Sequence, residues 1–253
     1  VDLNIAPWGE LRRSDMERNH LRSGVRLVAA GAAVAGLMLV GAATAGAQPQ
    51  VEYPKPTVPQ IFTVMGQFVR VAYNNQGFVT LGYRAAQESV GQDWLLLEVG
   101  LSMMSGAKDY RIKRENFTLK TPDGTVIPLA TQKEYAEAGY LRALNNRTKV
   151  QRDPINYFPI DVTRGCSIAF FANPGERGRQ LAFDEVELSY NRGCVGRLYF
   201  KVPGGIKVGQ HWLIVHFGES EVQTPFRILT PEERKEFAKS WQEIKKAHDA
   251  TYK

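Results

Sequence analysis

Between residues 61 and 229 the chain is cut into short apolar runs separated by turn-forming clusters, and this pattern leaves little room for any architecture but stacked sheets. β-branched and aromatic residues fill 62–72, 78–83 and 94–102, with Asn74-Asn75-Gln76-Gly77 and Gly91-Gln92-Asp93 between them. Runs of this kind, bounded by Gly, Asn and Asp, are strand signals, because those residues make the turns that end a strand. The same spacing predicts strands at 167–172, 181–190, 195–202, 212–217 and 222–229, punctuated by Asn173-Pro174-Gly175 and Pro203-Gly204-Gly205. Residues 94–101 form the most apolar run and read as a central strand with both faces covered at its start. Around Thr121-Pro122-Asp123-Gly124 the flanking segments 116–120 and 125–129 alternate, which marks a hairpin. With no long helices alternating between strands, the expected fold is an all-β, antiparallel β-sandwich over 61–229.

The chain has two cysteines, Cys166 and Cys194, separated by 28 positions. Cys166 opens the run Ser167-Ile168-Ala169-Phe170-Phe171 and Cys194 precedes Val195-Gly196-Arg197-Leu198-Tyr199-Phe200, so a bond between them staples two strands. No Cys-x-x-Cys is present for redox work, and neither a further Cys nor a nearby His completes a metal site. In an oxidising compartment the pair is expected to close, and loop entropy makes that worth roughly 3.5 kcal/mol.

The N-terminal region points to that compartment. Residues 1–15 lack hydrophobic periodicity and read as an untranslated upstream segment. Met16 is followed by Arg18, Arg22 and Arg26, then by an uncharged run over 27–45, then by Ala45-Gly46-Ala47. A basic stretch, an apolar stretch and a small-x-small site in that order make 16–47 a signal peptide, with cleavage expected after Ala47. The rival reading is a retained membrane anchor, but a run so rich in Ala and Gly anchors weakly, so no stable membrane span is expected after cleavage. Residues 48–60 carry Pro49, Pro54, Pro56 and Pro59 and read as an extended linker, since each proline fixes φ and removes an amide donor. The expected location is therefore periplasmic or secreted.

Several of these features resemble the immunoglobulin-like domains of unknown function found in many exported bacterial proteins. The run 94–101, the pair Phe117 and Leu119, the Asp123-Gly124 hairpin, the stretch from Gly196 to Pro203 and the strand at 212–217 carry the resemblance, which spans about half of the chain beyond residue 47. It implies an immunoglobulin-like sandwich, and it implies no activity. The segment between Ala130 and Gly165 departs from that pattern. It is expected to hold a short inserted helix capped by Thr131 and Glu134, with apolar positions at Tyr140, Leu141 and Leu144.

After Leu229 the period changes. Thr230-Pro231-Glu232-Glu233 supplies an N-cap, a first-turn proline and a capping acid, so 230–253 is expected to be a C-terminal helix. Phe237, Trp241 and Ile244 then fall at helical spacing as a narrow apolar stripe, which either packs on the sandwich or receives a partner.

Nothing in the sequence assembles a catalytic constellation, and neither enzymatic activity nor a cofactor is expected. The net charge of +6 is dispersed along the chain, with no basic stripe interleaved with aromatics, which argues against nucleic acid. His211 and His216 flank one strand five positions apart, so their rings take opposite faces and share no metal. Glu185 and Glu187 share a strand face about 7 Å apart, which is compatible with a glycoside hydrolase pair, but a solvated face is the favoured reading. The basic loop around Arg177 and Arg179 is a further binding candidate, since sandwich loops commonly carry binding. The favoured function is a non-enzymatic module engaging an envelope or extracellular protein through loops, a sheet edge or the terminal helix. The alternative is a carbohydrate-binding module, which requires Tyr157, Phe158 or Tyr199 to form an exposed aromatic platform.

Overall fold

The computed structural model describes residues 60–138, 141–150, 153–172 and 181–251. The upstream segment 1–15, the signal peptide 16–47, nearly all of the linker and the Arg177/Arg179 loop lie outside the described residues. In chain order the elements are β1 (Ile61–Gly66), β2 (Val69–Tyr73), β3 (Gly77–Gly82), α1 (Arg84–Gln87), β4 (Trp94–Met103), β5 (Tyr110–Lys113), β6 (Phe117–Lys120), β7 (Val126–Pro128), α2 (Gln132–Glu137), α3 (Leu141–Val150), β8 (Arg164–Ile168), β9 (Glu185–Leu188), β10 (Arg192–Lys201), β11 (Gly209–Phe217), β12 (Ser220–Ile228) and α4 (Pro231–Thr251). Among the described residues no helix is long and apolar enough to cross a membrane.

The strands form a six-stranded sheet ordered β1-β2-β3-β4-β10-β8, a four-stranded sheet ordered β12-β11-β6-β7 and a separate β5-β9 pair. β2 and β3 of the larger sheet pack on β12 of the smaller one, giving the β-sandwich with its C-terminal helix. Pairing is antiparallel throughout except between β8 and β10, which run parallel. The antiparallel β-sandwich expected from the sequence is thus what forms, with this parallel pair as an exception within it. The physical reason for the exception is the long excursion from Ile168 to Arg192, which lets the chain re-enter the sheet in the same direction.

The register explains the core. Val79 pairs with Leu101, Leu81 with Val99, and Leu97 with Leu198, so these side chains share the face turned toward Leu119, Leu213, Val215 and Phe226. β4 is buried along its entire length, beyond the partial coverage expected from sequence. Its opposite face carries Thr80, Gly82, Glu98 and Gly100 on adjoining strands and is covered by the segment 155–158. A Cβ on Gly100 would stand 2.8 Å from Phe158 Cζ and 2.9 Å from the Ile155 carbonyl oxygen. Glycine is therefore required there so that a second backbone can lie directly on the sheet. Thr80 Oγ1 donates to the Tyr157 carbonyl at 2.9 Å, and a bidentate Arg84–Asp153 ion pair at 2.7 and 2.8 Å anchors the start of this strap.

Cys166 and Cys194 are direct partners in the β8–β10 ladder and form the disulfide, with Cα atoms 4.3 Å apart. The Asp123-Gly124 hairpin joins β6 to β7 with Gly124 at φ +84°, a conformation that favours glycine. Where a single inserted helix was expected there are two, and the Thr131/Glu134 capping box opens the first. The expected strand over 62–72 divides into β1 and β2 at Gln67-Phe68. The one over 181–190 shortens to β9, leaving Leu181 and Phe183 exposed. That over 167–172 ends at Ile168, because Phe170 dives against Phe117 while Phe171 packs on Tyr135 and Tyr199.

Candidate interaction surface

A sandwich has exposed sheet edges, and an unpaired edge is a template for another strand. In this chain the two edges nearest the N-terminal strand are treated in opposite ways. β12, the edge of the smaller sheet, is closed by side-chain amides from α1 and from residues that flank β1 and β2 of the larger one. Asn74 Nδ2 donates to the Glu221 carbonyl at 3.0 Å. Gln60 makes a two-point pairing with Gln223, donating to its carbonyl at 2.6 Å and accepting from its N–H at 2.9 Å. Gln87, only 2% exposed, donates to the Arg227 carbonyl at 2.8 Å and accepts from the Leu229 N–H at 2.9 Å. Pro225, between them, has no N–H to offer. Each amide thus stands in for a neighbouring strand's peptide group.

Among the described residues, β1, the edge of the larger sheet, has no such closure and pairs with β2 alone, and Ile61, Phe62, Val64 and Met65 are 55%, 42%, 49% and 40% exposed. Phe62 and Val64 share one face and line an open cleft of about 660 Å³ with Arg70, Trp212, Pro225 and Arg227. Arg70 donates to the carbonyls of Gly66 and Val69 and lies 5.1 Å from the Tyr83 ring centroid.

α4 begins directly where the β12 closure ends. The Thr230 hydroxyl accepts from the Glu233 N–H at 3.2 Å, and the Glu233 carboxylate accepts from the Thr230 N–H at 2.9 Å and from Arg227 at 2.7 Å. The Thr230 amide and Arg227 hold that carboxyl below the usual range. Arg234 adds an ion pair to Glu88 at 2.6 Å. Along the helix, Phe237 meets Phe68 edge-on at 6.0 Å and joins the core, and Trp241 follows at 6.4 Å from Phe237 and is half-buried. One turn further, Ile244 is 59% exposed. The stripe foreseen in the sequence therefore divides between the two roles considered for it: its first member packs on the sandwich and its last faces solvent.

The remaining sequence candidates are dispersed. Tyr199 is 4% exposed, with its hydroxyl donating to Asn145 Oδ1 and its ring against Tyr135 and Phe171. Phe158 rests on Gly100 and Gly193. Tyr157, Phe158 and Tyr199 thus form no exposed platform, because the strap and α2 cover that side of the sheet. Glu185 and Glu187 are exposed and paired separately with Arg111 at 2.9 Å and Arg192 at 3.8 Å. His211 and His216 take opposite faces of β11: His211 is 1% exposed and stacked on Phe226, whereas His216 lies 3.6 Å from Glu221. Burial pushes the His211 pKa down to about 4. Among the described residues no group of three or more His, Cys, Asp or Glu is placed to hold a metal.

Sequence reasoning passed over Gln60, Asn74 and Gln87, which read as ordinary turn and loop residues, and it did not single out the apolar edge of β1. In comparisons with known proteins, no family model, no curated protein and no solved structure matches this chain.

Proposed function

We propose that the chain is an exported, disulfide-bonded, non-enzymatic module of the immunoglobulin-like kind that engages a protein of the cell envelope or exterior through the distal half of α4. The observation that carries this reading is the exposure of Ile244 on the stripe that Phe237 anchors in the core. α4 is 21 residues long, about 31 Å at the usual helical rise, and its base is fixed by a capping box and two ion pairs. A rigidly based helix presenting a narrow apolar line suits docking into an apolar groove, since the ordering cost of the helix is met before binding. Export is supported by the basic, apolar and small-x-small order of residues 16–47 and by the closed disulfide, which persists in oxidising compartments.

The test is affinity capture from envelope and secreted fractions with the chain, with a version ending at Leu229, and with Ile244→Asp. The proposal expects a discrete protein recovered in proportion to bait by the chain, and at least tenfold less with either change. Recovery unaffected by both changes, or recovery of polysaccharide alone, sinks it. Ile244 is exposed, so its substitution reads docking rather than folding.

A further inference from the structure

The open edge of β1 has a feature that the closed edge of β12 lacks: its side-chain pattern is symmetric about its own centre. Reading Ile61-Phe62-Thr63-Val64-Met65 in either direction gives apolar, apolar, Thr, apolar, apolar, and the strand carries no charge although the chain's net charge is +6. In an antiparallel pair, directly opposed residues lie on the same sheet face. Two copies of β1 related by a twofold axis at Thr63 therefore oppose Phe62 to Val64 on the cleft-lining face, while Met65, the extra residue at the register shift, stands outside the regular alternation. Thr63 meets Thr63. Phe62 and Val64, both exposed, each gain an apolar partner in this register, and no like charges are brought together. A one-residue slip would put side chains of opposite faces against each other.

We infer that β1 is a self-association edge, through which two copies of this chain join their six-stranded sheets into one continuous sheet across a twofold axis. Three local features set the limits of the contact. The strand begins at Ile61, and just ahead of it the Gln60 side chain is bonded to the Gln223 backbone. The register shift between Val64 and Gly66 ends its regular part at Val64. The cleft beside Phe62 and Val64 leaves room for the opposing pair on the side where the smaller sheet stops short. A contact of so few residues falls below the roughly 1,200 Å² of standard stable interfaces, so the dimer is reversible and concentration-dependent. The contact is isologous and closed, so it stops at two copies rather than growing into a fibre.

Thr63→Cys in the full chain provides a register-specific test, because directly opposed Cα atoms lie about 4.5–5.5 Å apart, within disulfide reach. Under mild oxidation, with the native pair already closed, Thr63→Cys is expected to give at least tenfold more covalent dimer than Phe62→Cys or Val64→Cys, whose symmetry mates are offset along the strand. In sedimentation over about 1 to 300 µM, Val64→Lys is expected to weaken dimerisation at least tenfold while its melting temperature stays with the parent's, since Val64 is 49% exposed. Equal cross-linking at 62, 63 and 64 overturns the register and with it the inference. So does a dimer that survives Val64→Lys, or a parent chain that stays monomeric throughout. Hydrogen-exchange protection of β1 in such a monomer would assign the edge to a segment of the same chain.

Discussion

Replacing Gln87 with alanine removes both bonds that close the C-terminal end of the β12 edge, those to the Arg227 carbonyl at 2.8 Å and from the Leu229 N–H at 2.9 Å. Each neutral bond contributes about 1 kcal/mol net, and leaving the two backbone groups unpaired at a site 2% exposed raises the combined loss to about 2–4 kcal/mol. For a domain of this size that lowers the melting temperature by roughly 5–15 °C. Gln87→Glu retains an acceptor for Leu229 but points a carboxylate at the Arg227 carbonyl, so at neutral pH it is expected to be no more stable than the alanine variant. Because Leu229 adjoins the Thr230 cap, the amides of the first turns of α4 should also exchange faster with solvent. Urea and thermal denaturation, with hydrogen exchange on the same samples, measure all three effects. Exposed Gln242→Ala serves as the control and should stay within about 0.5 kcal/mol of the parent. A Gln87→Ala protein melting within about 1 °C of the parent, with unchanged exchange in α4, would refute the view that these amides close the edge.

Converting Cys166 and Cys194 together to serine is expected to cost roughly 3.5 kcal/mol by loop entropy, read as a shift in the urea midpoint that vanishes when both proteins are compared under reducing conditions. Gly100→Val drives a side chain into Phe158 and the Ile155 carbonyl, whereas Gly91→Ala, at φ +77° with open space around it, meets only backbone strain. The first should lose several kcal/mol and the second about 1, and equal losses would remove the strap from the account. For His211, burial sets the folded pKa at about 4 against an ordinary 6.5. The unfolded chain therefore binds a proton that the folded chain refuses, and stability, complete above that window, falls as pH drops from about 6.5 to about 4, by about 3 kcal/mol. His211→Asn should flatten that slope in denaturation curves taken at pH 7, 6 and 5; an unchanged slope places its origin elsewhere.

What the sequence revealed and what it hid follow one physical division. The Asp123-Gly124 turn, the Thr131 and Thr230 caps and the apolar run of β4 are local, since neighbouring residues alone decide them, and all were legible. The closure of β12 was not, because Asn74, Gln60 and Gln87 reach partners 140 to 163 positions away and look like any polar loop residue until the sheets are stacked. Tyr199 was misjudged as a platform candidate for a related reason: alternation reveals that a residue faces one side of a sheet, but the helices and strap covering that side come from the segment that departs from the resemblance. Gly100, in the sequence one member of the apolar run 94–101, proves to be the seat of a second backbone. At the candidate surface, the spacing of Phe237, Trp241 and Ile244 was visible, whereas the division of that stripe between core and solvent depends on where Phe68 lies.

The two ends of the six-stranded sheet are secured by different chemistry. β8 is bonded covalently to β10 through Cys166 and Cys194, whereas β1 is held by one ladder of hydrogen bonds to β2. Under tension the sheet then behaves as a zipper with one sewn end. A load arriving along the chain ahead of Ile61 first parts the Gln60–Gln223 pairing and then opens the β1–β2 ladder at low force, while the same load on β8 must first break a sulfur–sulfur bond. Mechanical failure of the fold therefore has a direction, beginning at the N-terminal strand and stopping short of the disulfide.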